Sequence, residues 1–278
     1  MDGIVVAAAL ASAFLHAAWN AAIKAAPDPR SAMAAAVVAS GAVAVPLLFF
    51  LPMPAPASWP WLAASAVFNL FAMLALARGY ATGAGFGLVY PLARATSPLL
   101  VTLFGGVIFG EHLGTLGLVG VALVSAGVAL FAGGDGRRHP LAIACALAAG
   151  IFTAAYILAD AQGVRASASM LGYGLVVSVV NAIVFGTVHR LRGGGPILAA
   201  LRANPMVALF VPAASNASYP LILWVWSLAP VAVGAALRDT SVVFAALIAV
   251  VVLKERVTAR RAAAIALVAA GAAALRFA

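Results

Sequence analysis

The chain has 278 residues, 65% of them hydrophobic and only 8% charged, with a mean hydropathy of +1.13 and a formal net charge of +9. A soluble domain is about half apolar and about a quarter charged, so one aqueous core cannot hide this much apolar surface, and disorder needs the opposite composition. The chain belongs in a bilayer, and its basic residues, gathered at the ends of apolar runs, read as membrane-flanking charge rather than a nucleic-acid face.

Apolar runs lie at 4–23, 32–51, 60–79, 86–109, 114–132, 141–159, 170–188, 206–229, 231–253 and 259–276. Each is about 20 residues, the length that crosses a hydrocarbon core of about 30 Å. Ten spans leave short loops, which excludes an appended catalytic, nucleotide-binding or DNA-binding domain. The first run lacks a basic n-region and continues to full span length, so it reads as a transmembrane helix rather than a cleaved signal peptide. Ser12, His16, Asn20 and Lys24 recur in it every four residues as one polar stripe, flanked by Trp19. Such a stripe either lines a cavity or hydrogen-bonds to neighbouring helices.

In the fourth run Tyr90, Arg94 and Ser97 share a face, and Pro91 and Pro98 are expected to interrupt the helix. Cys145, the single cysteine, permits no intramolecular disulfide and reads as a packing residue of the sixth run. Asn69 and Asn181 read as packing amides. The eighth run carries Asn216 and Tyr219 between Pro212 and Pro220, where freed backbone must line water or be buried. Trp224 and Trp226 near its end read as interfacial belt residues.

Placing residue i over i+144 aligns the fourth and fifth runs with the ninth and tenth without a gap. The identities include Arg94/Arg238, Thr96/Thr240, Ser97/Ser241 and Glu111/Glu255. Alanine-rich helices match by chance at alanines, but not at an Arg, a Thr-Ser pair and a Glu in one frame. An offset of 137 lays His16-Ala17-Ala18-Trp19 over Thr153-Ala154-Ala155-Tyr156. The expected fold is therefore an all-α polytopic membrane protein of ten transmembrane helices in two five-helix repeats, 1–136 and 137–278. An odd number of spans per half inverts one half against the other. The Ala/Gly surfaces of the fifth and tenth spans read as close-packing faces, with a homodimer contact as one use.

Gly110-Glu111-His112-Leu113 and Lys254-Glu255-Arg256-Val257-Thr258, each followed by a Gly- and Ala-rich run, resemble the doubled signature of the EamA branch of the drug/metabolite transporter superfamily. Leu15-His16-Ala17-Ala18-Trp19-Asn20 is similar to first helices of that branch. His112 stands where the pattern usually carries Arg, and Lys254 where it carries Gly. The resemblance implies a secondary transporter, usually an exporter of amino acids or other small metabolites, in a bacterial cytoplasmic (inner) membrane. It implies termini on the inside, whereas the positive-inside rule puts them outside. Twelve Lys and Arg fall in the odd-numbered loops, against Arg165 and Arg276 on the other side.

Arg94 and Arg238 lie about eight and seven residues into their spans, or roughly 12 Å deep for the first at 1.5 Å per residue. Entering from opposite faces, both can meet near the midplane. Intramembrane arginines line a cavity, form a structural ion pair or snorkel to the interface. Asp239 can pair with Arg94, leaving one carboxylate against two guanidiniums and favouring a substrate with a carboxylate. The candidate substrate-binding residues are His16, Trp19, Asn20, Tyr90, Arg94, Ser97, Tyr156, Asn216, Tyr219, Arg238 and Ser241. His16 and Asp239 are the candidates for coupling to a proton or ion.

With no ATP-binding motif, energy must come from a gradient. No cofactor or metal motif is present, and the absence of H-E-x-x-H and G-x-S-x-G argues against an intramembrane enzyme. The other transport reading is an exporter of lipophilic cations held by Trp19, Tyr156 and Asp239.

Overall fold

Asp2 accepts a hydrogen bond from the Ile4 N–H at 3.0 Å and opens the first helix, as short acceptors do at helix starts. Three of the helices that follow begin with proline where its missing N–H costs nothing: Pro29 and Pro140 are first residues, and Pro60 is the second of its helix, whereas Pro46 and Pro220 lie inside theirs. The computed structural model describes residues 2–82, 86–130, 139–253 and 258–277. The fold is 88% helical, with no strand among the described residues.

The helices are α1 (Gly3–Lys24), α2 (Pro29–Leu47), α3 (Trp59–Tyr80), α4 (Phe86–Phe109), α5 (Thr115–Leu130) and α6 (Pro140–Ala166). There follow α7 (Met170–Leu191), a short α8 (Ile197–Ala203), α9 (Val211–Leu228), α10 (Val231–Asp239), α11 (Ser241–Leu253) and α12 (Ala259–Phe277). A π-helical turn, Met206–Phe210, leads into α9.

Among the described residues, seven segments are long and apolar enough to cross a membrane. They are Gly3–Ile23, Ser31–Phe50, Pro56–Tyr80, Leu88–Phe109, Pro140–Ala166, Met170–Leu191 and Met206–Leu228, and α5 is a shorter apolar helix of 16 residues. The distribution of polarity is that of a protein dissolved in lipid. Phe49 and Phe50 are 85% exposed and Val107 is 80% exposed, while Asp160, Ser12 and Ser97 are 0% exposed. Greasy side chains face outward and polar ones inward, as a hydrocarbon solvent requires. The chain is an all-α, multi-pass membrane protein.

Three expectations need correction. Pro91 and Pro98 do not interrupt α4, which is helical throughout. Proline at 98 removes the donor to the Arg94 carbonyl, but the hydrogen bond from Thr102 Oγ1 to the Pro98 carbonyl, 2.7 Å, belongs to a helix that continues. The ninth apolar run is two helices rather than one. The Thr240 N–H bonds the Leu237 carbonyl at 3.2 Å and its hydroxyl donates to the same carbonyl at 2.6 Å, tightening a turn between α10 and α11. Trp226 is not a belt residue: it is fully buried, because the Ala229–Pro230 connection folds α10 back over α9.

Helix α3 packs on α6, α1 on α9 and α11, α2 on α7, α4 on α6 and α5, and α10 on α4. The small-residue faces of α5 and α12 meet each other. A Cβ on Gly127 would lie 2.9 Å from the Ala264 carbonyl, and one on Gly271 2.7 Å from the Gly120 carbonyl. The backbones approach this closely only because both helices present glycine. Cys145 is buried beside Gly79, as a packing residue. Asn69 and Asn181 bond to each other across α3 and α7 at 3.3 Å. The boundary at 136/137, the basic pair Arg137 and Arg138, and the signature residues Lys254, Glu255, Arg256 and Val257 lie outside the described residues, as do the side chains of Lys24, Arg30 and Pro91.

Candidate functional site

Arginine can only donate hydrogen bonds, and Arg94 finds an acceptor for each arm of its guanidinium. Its Nη1 donates to Asp239 Oδ1 at 3.0 Å, its Nη2 to His16 Nε2 at 2.7 Å and its Nε to the Tyr90 hydroxyl at 3.2 Å. The Arg94 side chain is 11% exposed and that of Asp239 3% exposed, so this is a buried hub joining α1, α4 and α10. Because Arg94 donates, His16 Nε2 must be the acceptor and its proton sits on Nδ1, which is buried without a partner among the described residues. Trp19 stands edge-on to the His16 ring, centroids 4.9 Å apart.

The second arginine is held differently. Arg238 is buried, yet it makes no salt bridge among the described residues, and its Nε has no hydrogen-bond partner. Its guanidinium carbon lies 5.6 Å from the Tyr219 ring centroid and 5.9 Å from that of Trp226, within cation–π range. Gly234, one turn before Arg238, leaves room for the indole: a Cβ there would lie 2.8 Å from Trp226 Cδ1. The sequence Gly-x-x-x-Arg thus lays α10 flat on Trp226 and aims Arg238 across both rings.

A second carboxylate, missed in the sequence reading, lies beyond Tyr219. Asp160 is 0% exposed on α6. It accepts hydrogen bonds from the hydroxyls of Tyr219 on Oδ2 and Tyr173 on Oδ1, the latter at 3.1 Å, and Ser65 bonds it as well. Gly163, three residues on, lets the Tyr173 ring lie directly against α6. The expected balance of one carboxylate against two guanidiniums is therefore corrected to two against two. The sixth apolar run ends at residue 159, but α6 continues to Ala166 and carries Asp160 inside the protein. A lone carboxylate next to an apolar run was the signal.

Tyr156 is half-buried on α6, within electrostatic range of Arg94, Arg238 and both aspartates. Ser97 and Ser241 are buried on α4 and α11, the Ser97 hydroxyl without a partner among the described residues. Three stripe or cavity candidates are engaged elsewhere. Asn20 donates to its own helix at the His16 carbonyl, 2.7 Å. Ser12 and Ser218 exchange hydroxyl–carbonyl bonds of 2.8 Å between α1 and α9. Asn216 donates to the Ser40 carbonyl at 3.0 Å and accepts from Ser178, also at 3.0 Å, tying α2, α7 and α9 together. The polar stripe of α1 is thus part site and part interhelical tie.

At one end of the bundle Gly110 adopts φ +66° after the last turn of α4, a conformation that favours glycine. The turn delivers Glu111 to Arg165 Nη2 at 2.7 Å, and its other oxygen accepts from the Val231 N–H at 2.8 Å. Arg165 also donates to the Trp226 and Ala229 carbonyls at 2.9 and 3.2 Å and stacks over Phe109 at 4.5 Å. One ion pair therefore fastens the ends of α4 and α6 to the α9–α10 turn. The Gly-Glu pair of the signature has a mechanical role here: glycine ends the helix and glutamate latches it.

An apolar pocket of about 270 Å³ opens between α3, α4 and α6, lined by Trp61, Phe68, Leu100, Phe104 and Leu158 among others. Another, of about 340 Å³, is lined by residues including Leu47, Phe50, Leu175, Asn216 and Pro220. The arginines line neither. No group of three or more His, Cys, Asp or Glu placed to hold a metal ion occurs among the described residues.

No family model and no curated protein matches the sequence. The fold is similar to that of a protein of known crystal structure, with a TM-score of 0.76 over 99% of this chain and 99% of that one, at 18% sequence identity. At this identity the likeness concerns the fold alone.

Proposed function

We propose that the chain is a secondary active transporter that moves a small carboxylate-bearing metabolite by alternating access, with amino acids and related compounds as the substrate class. In this reading ten spans form two inverted five-helix repeats, 1–136 and 137–278, of the EamA type in a bacterial inner membrane. The direction is outward, as the resemblance implies. The packing supports the repeat: α3 on α6 is matched by α9 on α1, and α2 on α7 and α5 on α12 each join equivalent helices of the two halves.

The observation that carries the substrate class is Arg238. A buried guanidinium with no ion pair and an unpartnered Nε among the described residues is a group whose natural complement is an oxyanion, which arginine binds bidentately. Arg94 already has its carboxylate in Asp239 and serves as the anchor. The cation-exporter reading loses support, because Trp19 packs on His16 and Asp239 is bonded to Arg94.

The test is a thermal-stability screen of the detergent-purified protein against anionic, zwitterionic and cationic metabolites, with Arg94→Ala and Arg238→Ala in parallel. A ligand at one hundred times its Kd stabilises the native state by about 2.7 kcal/mol. Carboxylate hits that vanish in folded Arg238→Ala support the reading. Hits confined to organic cations, retained in both variants, overturn it.

A further inference from the structure

We propose that Asp160 is a proton-binding site whose occupancy is linked to that of Arg238: a carboxylate arriving at the arginine brings a proton onto Asp160. The proposal rests on the carboxylate reading above and adds the coupling group, which is neither of the two residues singled out in the sequence.

The geometry separates Asp160 from every other titratable group of the cluster. It is fully buried, both its oxygens accept from tyrosine hydroxyls, and no cation lies within salt-bridge distance of it among the described residues. The groups facing it are Ser65 on α3, Tyr156 on its own helix, Tyr173 on α7, Tyr219 on α9 and Arg238 on α10, while Tyr90, Asp239 and His16 gather on Arg94 instead. Asp239 cannot take a proton without losing the negative charge that pairs with Arg94 at 3.0 Å. His16 cannot, because its free ring nitrogen accepts from Arg94. Asp160 can: hydroxyl groups both donate and accept, so Tyr173 and Tyr219 satisfy the acid as well as the carboxylate.

The charge count gives the link. Arg94 and Arg238 balance Asp239 and Asp160, with His16 neutral. A substrate carboxylate without an ammonium group adds one negative charge to a water-excluded site, where an unbalanced charge is costly. Transfer of one H⁺ from water to a carboxylate oxygen of Asp160, COO⁻ + H⁺ → COOH, restores neutrality without oxidant or reductant. Tyr219 is the physical connection, its hydroxyl on Asp160 and its ring 5.6 Å from the Arg238 guanidinium. Carboxylate and proton then cross together, outward when the substrate's own gradient exceeds the proton gradient.

Isothermal titration of the purified full chain with benzoate, a carboxylate without an ammonium group, in two buffers of different ionisation enthalpy counts the protons. Wild type takes up about one proton per benzoate bound, and across that range its affinity falls about tenfold per pH unit. Asp160→Asn takes up none, and its affinity is independent of pH. Benzoate binding without proton uptake in wild type, or uptake retained in Asp160→Asn, overturns the proposal. If Asp160→Asn does not fold, Tyr173→Phe serves, with the infrared difference spectrum on adding benzoate. The protonated-carboxyl band that benzoate induces must change frequency when this hydroxyl is lost, and an unmoved band overturns the assignment. Should benzoate fail to bind while cations do, the carboxylate reading itself falls, and the linkage with it.

Discussion

The Arg94–Asp239 pair makes a quantitative demand on the protein that a double-mutant cycle can read. The pair spans 3.0 Å with side chains 11% and 3% exposed, so solvent screens it little. Removing one partner of such a pair strands the other and costs about 3–5 kcal/mol. The two single variants are not equivalent. Asp239→Leu leaves two guanidiniums, Arg94 and Arg238, with neither in contact with a carboxylate, and belongs at the upper end of that range. Arg94→Met leaves Asp239 beside Arg238 and belongs near the lower end, about 3 kcal/mol. The double variant has neither charge, and apolar replacement of a buried pair is often neutral or stabilising. It should therefore be more stable than either single variant, with a coupling energy above about 2 kcal/mol, consistent with charges in direct contact. The assay is reversible unfolding in mixed micelles, monitored by helicity. Single-variant losses that add within about 0.5 kcal/mol in the double variant would refute a buried, mutually compensated pair.

Other expectations follow from neighbouring geometry. Glu111→Ala removes the acceptor of the Val231 N–H, so hydrogen exchange over residues 228–233 should accelerate; unchanged exchange would mean the latch does not hold that turn. Gly271→Val places side-chain atoms where Gly120 and Val124 backbone atoms lie 2.7–2.8 Å from the Cβ, and should destabilise by at least about 1–3 kcal/mol in the same micelle assay. Gly3→Ala, where a Cβ meets nothing within 4 Å, should stay within about 0.5 kcal/mol of wild type. Trp226→Ala empties a fully buried indole site and should cost about 3–5 kcal/mol, whereas a residue at the bilayer surface would cost far less.

Much of the architecture was legible because apolar run length is a strong signal in a membrane chain. The seven long spans fall on seven of the ten runs. The Arg94–Asp239 contact was legible too, since charged residues deep in apolar runs must find one another, and the 144-residue frame said which two spans would meet. Asp160 was lost by a single residue, at a run boundary that hydropathy alone sets one turn or more too early. The α10–α11 break was illegible because Thr240 ends a helix through its hydroxyl and an i→i+3 turn, neither of which lowers hydropathy. Trp226 was misread because an aromatic near a span end suits a bilayer surface and a core equally. Gly234, four residues before Arg238, was the better clue, since it makes room for a large ring. Asn216 and Asn20 show the opposite error: amides within a membrane are as readily spent on helix–helix and backbone bonds as on a cavity.

The proposed transport carries a small carboxylate across the membrane unchanged by way of Arg238. Its most direct test is uptake of a radiolabelled panel of amino acids and simple carboxylates into proteoliposomes of the purified chain, preloaded with the same unlabelled compound. Label that accumulates by exchange in wild type, recovered chemically intact, and is lost in Arg238→Gln of unchanged helicity is the predicted result. Chemical conversion of the label, failure of every panel member to enter, or equal exchange by Arg238→Gln would contradict it.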